Sequence, residues 1–234
     1  MARRADEVIL MISGIPQILK QSSKKISLSI PHSIEAEEFR IWKQKILAIP
    51  SLDLVWRQKA RRRLCEQTRP EGSLGELERY LERIVAIQET EKPSVQKKRI
   101  VIFAADHGVE EEGVSLYPRE VTPAMVHNFI SGGATINAFA RSAGAEVEVV
   151  DVGVDHEFGA EPRLVSRKIR RGTTNMKNAQ AMTREELLEA FQVGRERAEE
   201  AKRSGVELLG VGEMGIGNTT AASAVIAALT ASRP

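Results

Sequence analysis

Three short runs of β-branched and other apolar residues punctuate the chain, each closed by an acidic residue and a glycine. Arg99-Ile-Val-Ile-Phe-Ala-Ala-Asp106 leads into His107-Gly108, and Val147-Glu-Val-Val-Asp151 into Val152-Gly153. The third, Val206-Glu-Leu-Leu-Gly-Val-Gly-Glu213, leads into Met214-Gly215. Near-continuous apolar runs of this kind belong to strands buried on both faces. The stretches between them read as helices. One opens at Thr122, with Pro123 at the first helical position, where its missing N–H costs nothing. Another opens at Thr183, where Glu186 completes a reciprocal capping box. The last, Thr219 to about Thr230, is small and apolar on all sides, which predicts a buried helix. Strands alternating with helices predict an α/β fold, a parallel, Rossmann-like sheet with helices on both faces. Asp106, Asp151 and Glu213 then meet at the carboxyl edge, where such sheets bind ligands.

Upstream the pattern is weaker. Residues 1–50 are poorly patterned and read as an irregular or helical appendage; residues 51–95 read as a helical small-domain segment, and 96–234 as the parallel α/β domain. Leu52 to about Leu64 is helical in period, and a break follows at Thr68-Arg-Pro-Glu-Gly72. Ser73 opens the next helix with Glu76 at capping-box spacing. Leu74, Leu77, Leu81, Ile84, Val85 and Gln88 then fall on one face. Three clear strands are few for a doubly wound sheet, whose usual complement is about five or six. The domain is therefore expected to be incomplete, with C-terminal strands missing: a fragment, a short form, or a chain completed by a partner.

Composition narrows the function classes. The 234 residues carry 34 Lys and Arg against 32 Asp and Glu, a formal charge of +2. Arg57, Lys59, Arg61, Arg62 and Arg63 crowd one helix without aromatic interleaving, so a solvated face is expected and no nucleic-acid partner. Cys65 is the only cysteine; an inert, half-buried thiol in a reducing compartment is expected. No run reaches the ~20 apolar residues of a membrane helix. Arg3 and Arg4 before Val8-Ile-Leu-Met-Ile12 imitate a signal peptide, but Asp6, Glu7, Gly14 and Pro16 interrupt it and no cleavage site follows. A cytoplasmic protein without a membrane partner is expected.

Gly212-Glu-Met-Gly-Ile-Gly-Asn-Thr-Thr220 is the most informative stretch. A strand ends, glycines permit close backbone approach, and Asn218, Thr219 and Thr220 open a helix whose first N–H groups attract a phosphate. It matches neither the P-loop nor the dinucleotide fingerprint. A plain strand-to-helix turn capped by threonine is the competing reading. Asp106-His107-Gly108 admits both a structural and an acid–base reading. No second His or Cys at ligand spacing accompanies it, so no metal is expected. The loop Gly113-Val-Ser-Leu-Tyr-Pro118 suits either a wall beside a flat heterocycle or an ordinary surface loop.

Taken together, several segments resemble one family. Phe103-Ala-Ala-Asp-His-Gly-Val109, Glu112-Gly-Val-Ser-Leu-Tyr-Pro-Arg-Glu-Val-Thr122, Asn128-Phe-Ile-Ser-Gly-Gly-Ala-Thr-Ile-Asn137 and Gly212-Glu-Met-Gly-Ile-Gly-Asn-Thr-Thr-Ala-Ala-Ser223 are similar to nicotinate-nucleotide:dimethylbenzimidazole phosphoribosyltransferases, in order and at matching spacing. Arg69-Pro-Glu-Gly-Ser-Leu-Gly75 resembles their N-terminal Lys-Pro-Pro-Gly-Ser-Leu-Gly signature. The match covers about residues 50–230.

The resemblance implies a glycosyltransferase (pentosyltransferase) of cobalamin lower-ligand assembly. It would move the ribose phosphate of nicotinate mononucleotide onto 5,6-dimethylbenzimidazole, giving α-ribazole 5′-phosphate and nicotinate, with no cofactor. Gly215, Ile216, Gly217, Asn218, Thr219 and Thr220 would hold the phosphate, and Glu213 would support the reacting centre. Asp106, His107, Ser115 and Tyr117 would line the base pocket. The family's general-base Glu, in a C-terminal Gly-Glu-Gly-like segment, has no counterpart in this sequence, nor has a Lys downstream of the Asn-Thr-Thr motif. The alternative is therefore a catalytically inactive homologue that binds a nucleotide or benzimidazole. A homodimer is expected by resemblance alone.

Overall fold

The computed structural model describes residues 51–230 together with 9–12, 15–18, 40, 41, 44 and 46–49. The chain divides into two compact units, residues 1–94 and 95–234.

In the first unit, β1 (Ile9–Ile12) and β2 (Ile15–Ile18) pair antiparallel, with Ile9 opposite Ile18. This hairpin adds strands to a stretch expected to be irregular or helical, in which Arg40, Ile41, Gln44, Ile46 and Leu47 are helical. Two short apolar runs separated by Ser13-Gly14 carry a hairpin signal. Most of the rest of residues 1–50 lies outside the described residues. Helix α1 (Leu54–Cys65) starts where the Asp53 carboxylate accepts the Val55 N–H at 2.9 Å. Helix α2 (Glu76–Gln88) packs on it and buries Val85 and Ala86. Between them Arg61 clamps the buried Glu82 with two bonds of 2.9 and 3.0 Å, and Arg57 lies 3.6 Å from the same carboxylate. Part of the basic cluster thus holds two helices together.

The capping box expected at Ser73 does not form. Helix α2 begins after Gly75, and Gly72 and Gly75 both take positive φ, which turns the chain before the helix can start. Arg69 organises that turn instead, bonding Glu78 at 2.6 Å and the Ser73 hydroxyl at 3.2 Å. Leu74 and Leu77, expected on the buried face, are exposed, and so is Cys65, expected half-buried.

The second unit is the parallel α/β domain read from the sequence. Strands β3 (Lys98–Ala105), β4 (Ala145–Gly153), β5 (Leu164–Ser166) and β6 (Leu208–Met214) lie in the order β5-β4-β3-β6, all parallel. The three-residue β5 is the strand the apolar pattern did not reveal. Alternation along the strands splits the core into two layers. Ile102, Ala104 and Val149 face α3 (Val121–Ser131) and α4 (Thr135–Ala143), packing with Val126, Phe129 and Ile130. Val101 and Val150 face the other way, onto Val193 of α5 (Arg184–Arg203). The Thr183–Glu186 capping box opens α5 as expected, with bonds of 3.2 and 2.7 Å.

Helix α6 (Asn218–Thr230) departs from expectation. It is apolar all round, yet none of its residues is buried, and Val225 and Leu229 are more than half exposed. Its apolar sides have no covering layer among the described residues. Helix α3 begins at Val121, one residue before the expected Thr122. Among the described residues no helix is long and apolar enough to cross a membrane.

Candidate active site at the carboxyl edge of the sheet

Parallel pairing brings the three strand-end acids to one edge, but their surroundings differ. Asp151 has a structural task. Its Oδ1 accepts the N–H groups of Gly153 and Val154 at 3.1 and 2.9 Å, and its Oδ2 pairs with Lys168 Nζ at 2.8 Å. Lys168 also donates to the carbonyls of Val154 and His156, so one buried ion pair fixes the loop after β4. Glu213 is exposed and accepts from Asn218 Nδ2. Asp106 is 1% exposed; Oδ2 accepts the Asp155 N–H at 2.8 Å, and Oδ1 has no partner among the described residues.

The strand-to-helix loop after β6 folds against the end of β3. A methyl group on Gly215 would overlap the Ala105 carbonyl oxygen and come within about 3.1 Å of the His107 ring. A methyl on Gly217 would rest 3.5 Å from His107 Cβ. The Ile216 N–H donates to the buried Thr122 hydroxyl at 3.1 Å, which ties the loop to the first turn of α3. Gly108 is equally constrained. A side chain there would meet the backbone of residues 173–175 at 2.5–2.6 Å, and its N–H donates to Thr173 Oγ1 at 3.1 Å. The two glycine motifs of the sequence are thus neighbours, with His107 between them. Burial pushes the His107 imidazole below its ordinary pKa, opposed by the adjacent Asp106 carboxylate.

Several N–H groups at the start of α6 already have internal acceptors. Asn218 donates to Gly215 O at 3.0 Å, Thr219 to Asn218 Oδ1 at 2.7 Å, and Thr220 to Gly217 O at 3.1 Å. An incoming phosphate would compete with the Asn218 side chain for the Thr219 N–H.

On the other side of β3 a cleft of about 550 Å³ is lined by Asp106, Glu110, Pro118, Arg119, Glu120, Pro123, Asp155 and His156. Arg119 spans it, 3.5 Å from Glu110, 3.6 Å from Glu111 and 3.6 Å from Asp155. Ser115 and Tyr117 are not among the lining residues. Ser115 Oγ accepts the Tyr117 N–H at 3.1 Å within an exposed loop, and Tyr117 and Leu116 project into solvent. The structure therefore gathers Asp106, His107, Gly215, Ile216 and Gly217, with Asn218–Thr220 and Glu213 at the loop's outer end. Ser115 and Tyr117 stay on the adjoining loop. Arg119, Asp155 and Lys168, which order this edge, gave no local signal beyond their polarity, and Thr122 signalled only a helix start. No group of three or more metal-ligating side chains occurs among the described residues.

Fold and edge together define a parallel α/β domain with a glycine-rich strand-to-helix loop beside a polar cleft. A profile described as phosphoribosyltransferase matches residues 49–234, and the chain belongs to that family. It is similar to the nicotinate-nucleotide–dimethylbenzimidazole phosphoribosyltransferase of Geobacter sulfurreducens, 55% identical over 172 residues, covering 74% of this chain and 49% of that one. The enzyme of the same name from Geotalea uraniireducens is 52% identical over 188 residues, 80% of this chain and 53% of that one. The crystal structure of the Thermus thermophilus protein of that name superposes with a TM-score of 0.75 at 48% identity, over 78% of this chain and 56% of that one. The chain spans about half the length of the curated relatives it matches.

Proposed function

We propose that this chain acts in phosphoribosyl transfer from nicotinate mononucleotide to 5,6-dimethylbenzimidazole, giving α-ribazole 5′-phosphate and nicotinate. The observation that carries this reading is the docking of the Gly215–Gly217 loop on His107, which joins two of the segments whose sequence resembles that family. In this reading residues 96–234 carry the site. The Gly215–Thr220 segment takes the phosphate, and the cleft beside Asp106 takes the base. A ring nitrogen of the benzimidazole attacks ribose C1 as the C1–N bond to nicotinate breaks. The bonding pair leaves with nicotinate and neutralises its pyridinium ring, and C1 inverts. Glu213, near the phosphate end, offers negative charge to the developing oxocarbenium. The N–H proton of the attacking ring passes to a base or to water.

A second reading, nucleotide or benzimidazole binding without turnover, draws on one observation. Glu213 is exposed and engaged by Asn218. Its carboxylate faces solvent rather than a closed pocket. One experiment separates the two. Purified chain is mixed with nicotinate mononucleotide and 5,6-dimethylbenzimidazole, and α-ribazole phosphate is followed by chromatography. Product that is lost in Glu213→Ala supports transfer. A folded chain that binds either substrate yet makes no product supports binding alone. Self-association as a homodimer belongs to the same proposal, and sedimentation of the chain tests it.

A further inference from the structure

Strand β4 is only partly covered on its outer side. β5 pairs with it at Val149, Val150 and Asp151, so no strand lies beside Ala145–Glu148 among the described residues. The Asp151 carbonyl points toward β5, where it accepts the Arg167 N–H at 2.9 Å. Positions two apart along a strand aim alike. Ala145 and Val147 therefore turn their N–H and C=O groups outward, an edge on which one more strand can form. Natural edges are blunted by charged side chains. Here Glu146 and Glu148 turn to the other face, where Arg99 meets them at 3.1 and 3.2 Å and Arg197 of α5 approaches Glu148. The near face opens into a groove of about 260 Å³ floored by Phe129, Ile130, Ala140, Val147 and Val149. Asn137, also in the lining, is engaged by Phe129 O and the Ala134 N–H, which leaves the floor apolar. The charged residues of the lining are Arg141, near the start of β4, and Arg163, directly before β5. Arg163 gives one N–H to Ile130 O at 2.8 Å and another to Glu161 at 3.3 Å, and Arg141 gives one to Gly132 O at 3.0 Å. A guanidinium has five N–H donors, so both retain some for a ligand.

We propose that this edge binds the C-terminal tail of a partner protein as an added parallel strand, with the free carboxylate of the tail on Arg163. Space selects the end of a chain. The uncovered edge spans only Ala145–Glu148, and β5 closes it toward the carboxyl side, so an extended chain entering from the start of β4 must stop beside Leu164. Charge selects the direction. A parallel strand brings its carboxylate to Arg163, whereas an antiparallel one would bring its amino end to that guanidinium. Aliphatic side chains at alternate positions of the tail fill the groove, since they share the face of Val147 and Val149. The surface lies along the amino half of β4 and shares no residue with the cleft at the carboxyl edge.

The test follows the amide NMR signals of the isotopically labelled full chain during titration with short peptides. The probes are acetyl-Thr-Val-Thr-Val and its register-shifted partner acetyl-Val-Thr-Val-Thr, each with a free and an amidated C-terminus, and N-acetylvaline. At least one free-acid peptide should shift the signals of Ala145 and Val147. Amidation should weaken its binding at least about fivefold, the share of a partly exposed charge-assisted bond. Arg163→Gln should remove that difference, and Arg141→Gln should keep it. The spectra of the variants report whether they fold, and the comparison of acid with amide on the unsubstituted chain decides the matter even if one does not. Absence of binding at millimolar peptide, shifts confined to other strands, or equal binding of acid and amide overturns the proposal. Discrimination that follows Arg141 in place of Arg163 overturns the parallel direction and the proposal with it. N-acetylvaline binding as tightly as the tetrapeptides would make the groove a pocket for small acids, and no docking edge.

Discussion

The Thr122 hydroxyl accepts the main-chain N–H of Ile216 at 3.1 Å, a bond between residues 94 positions apart with both partners buried. It fixes the height of the glycine loop over β3. Thr122→Val keeps the shape and removes the acceptor, leaving a buried N–H unpaired. The expected cost is about 1–3 kcal/mol in urea unfolding, and Thr122→Ser should restore most of it. A valine variant as stable as the parent would show that the loop is held by packing alone.

Gly215 and Gly212 lie close together in the chain and answer differently to a methyl group. At Gly215 it overlaps the Ala105 carbonyl, whereas at Gly212 the nearest atom is Ile102 Cγ1 at 3.8 Å, an ordinary contact. Gly215→Ala should therefore lose at least about 2 kcal/mol of stability. Gly212→Ala should change it by less than about 1 kcal/mol. Matched thermal melts of the two variants check the contrast.

Removing the ammonium that faces Asp151 strands a buried carboxylate. Lys168→Met should cost about 3–5 kcal/mol, while Asp151→Asn, which can still accept from Gly153 and Val154, should cost less. Equal melting of the two variants would mean that the ion pair is incidental to the loop.

His107 gives the fold a pH dependence whose sign follows from its lowered pKa, caused mainly by burial. Below the ordinary histidine value of about 6.5 the unfolded chain takes up a proton that the folded chain resists. Stability should therefore fall as pH drops from about 6.5 toward the folded value, and be constant above that window as far as this residue is concerned. His107→Gln should flatten the slope just below about pH 6.5 in denaturant titrations. An unchanged slope would assign it to other groups. Glu112 and Glu186 add acid sensitivity lower on the scale. The Lys177 hydrogen bond lowers Glu112 and the Thr183 N–H lowers Glu186, so their contribution is lost only as pH falls through and below the usual carboxylate range.

The sheet was legible because β3, β4 and β6 write long apolar runs into the chain. Strand β5 was not, since three residues are too few to carry a period. A related limit separates the two capping boxes. Thr183 and Glu186 stand clear of glycine, whereas Ser73 lies between Gly72 and Gly75, whose backbone conformations override the side-chain signal. At the site, the sequence brought Asp106 and Asp151 to the same edge but could not tell them apart. Locally they look alike, and what distinguishes them is Lys168, which neutralises one and not the other. Asp155 escaped notice for the same reason: its partners, Asp106 and Arg119, come from a different strand end.

Successive positions at the end of β3 face opposite ways, so Asp106 addresses the cleft while its neighbour His107 addresses the glycine loop. One backbone thus serves two chambers, and their assignment depends on parity. A single inserted or deleted residue within Lys98–Ala105 would exchange the imidazole and the carboxylate between them, a change no later substitution could easily undo. Natural variation in length should therefore be purged from that strand, while the exposed turn around Val114–Tyr117 can grow or shrink with little penalty.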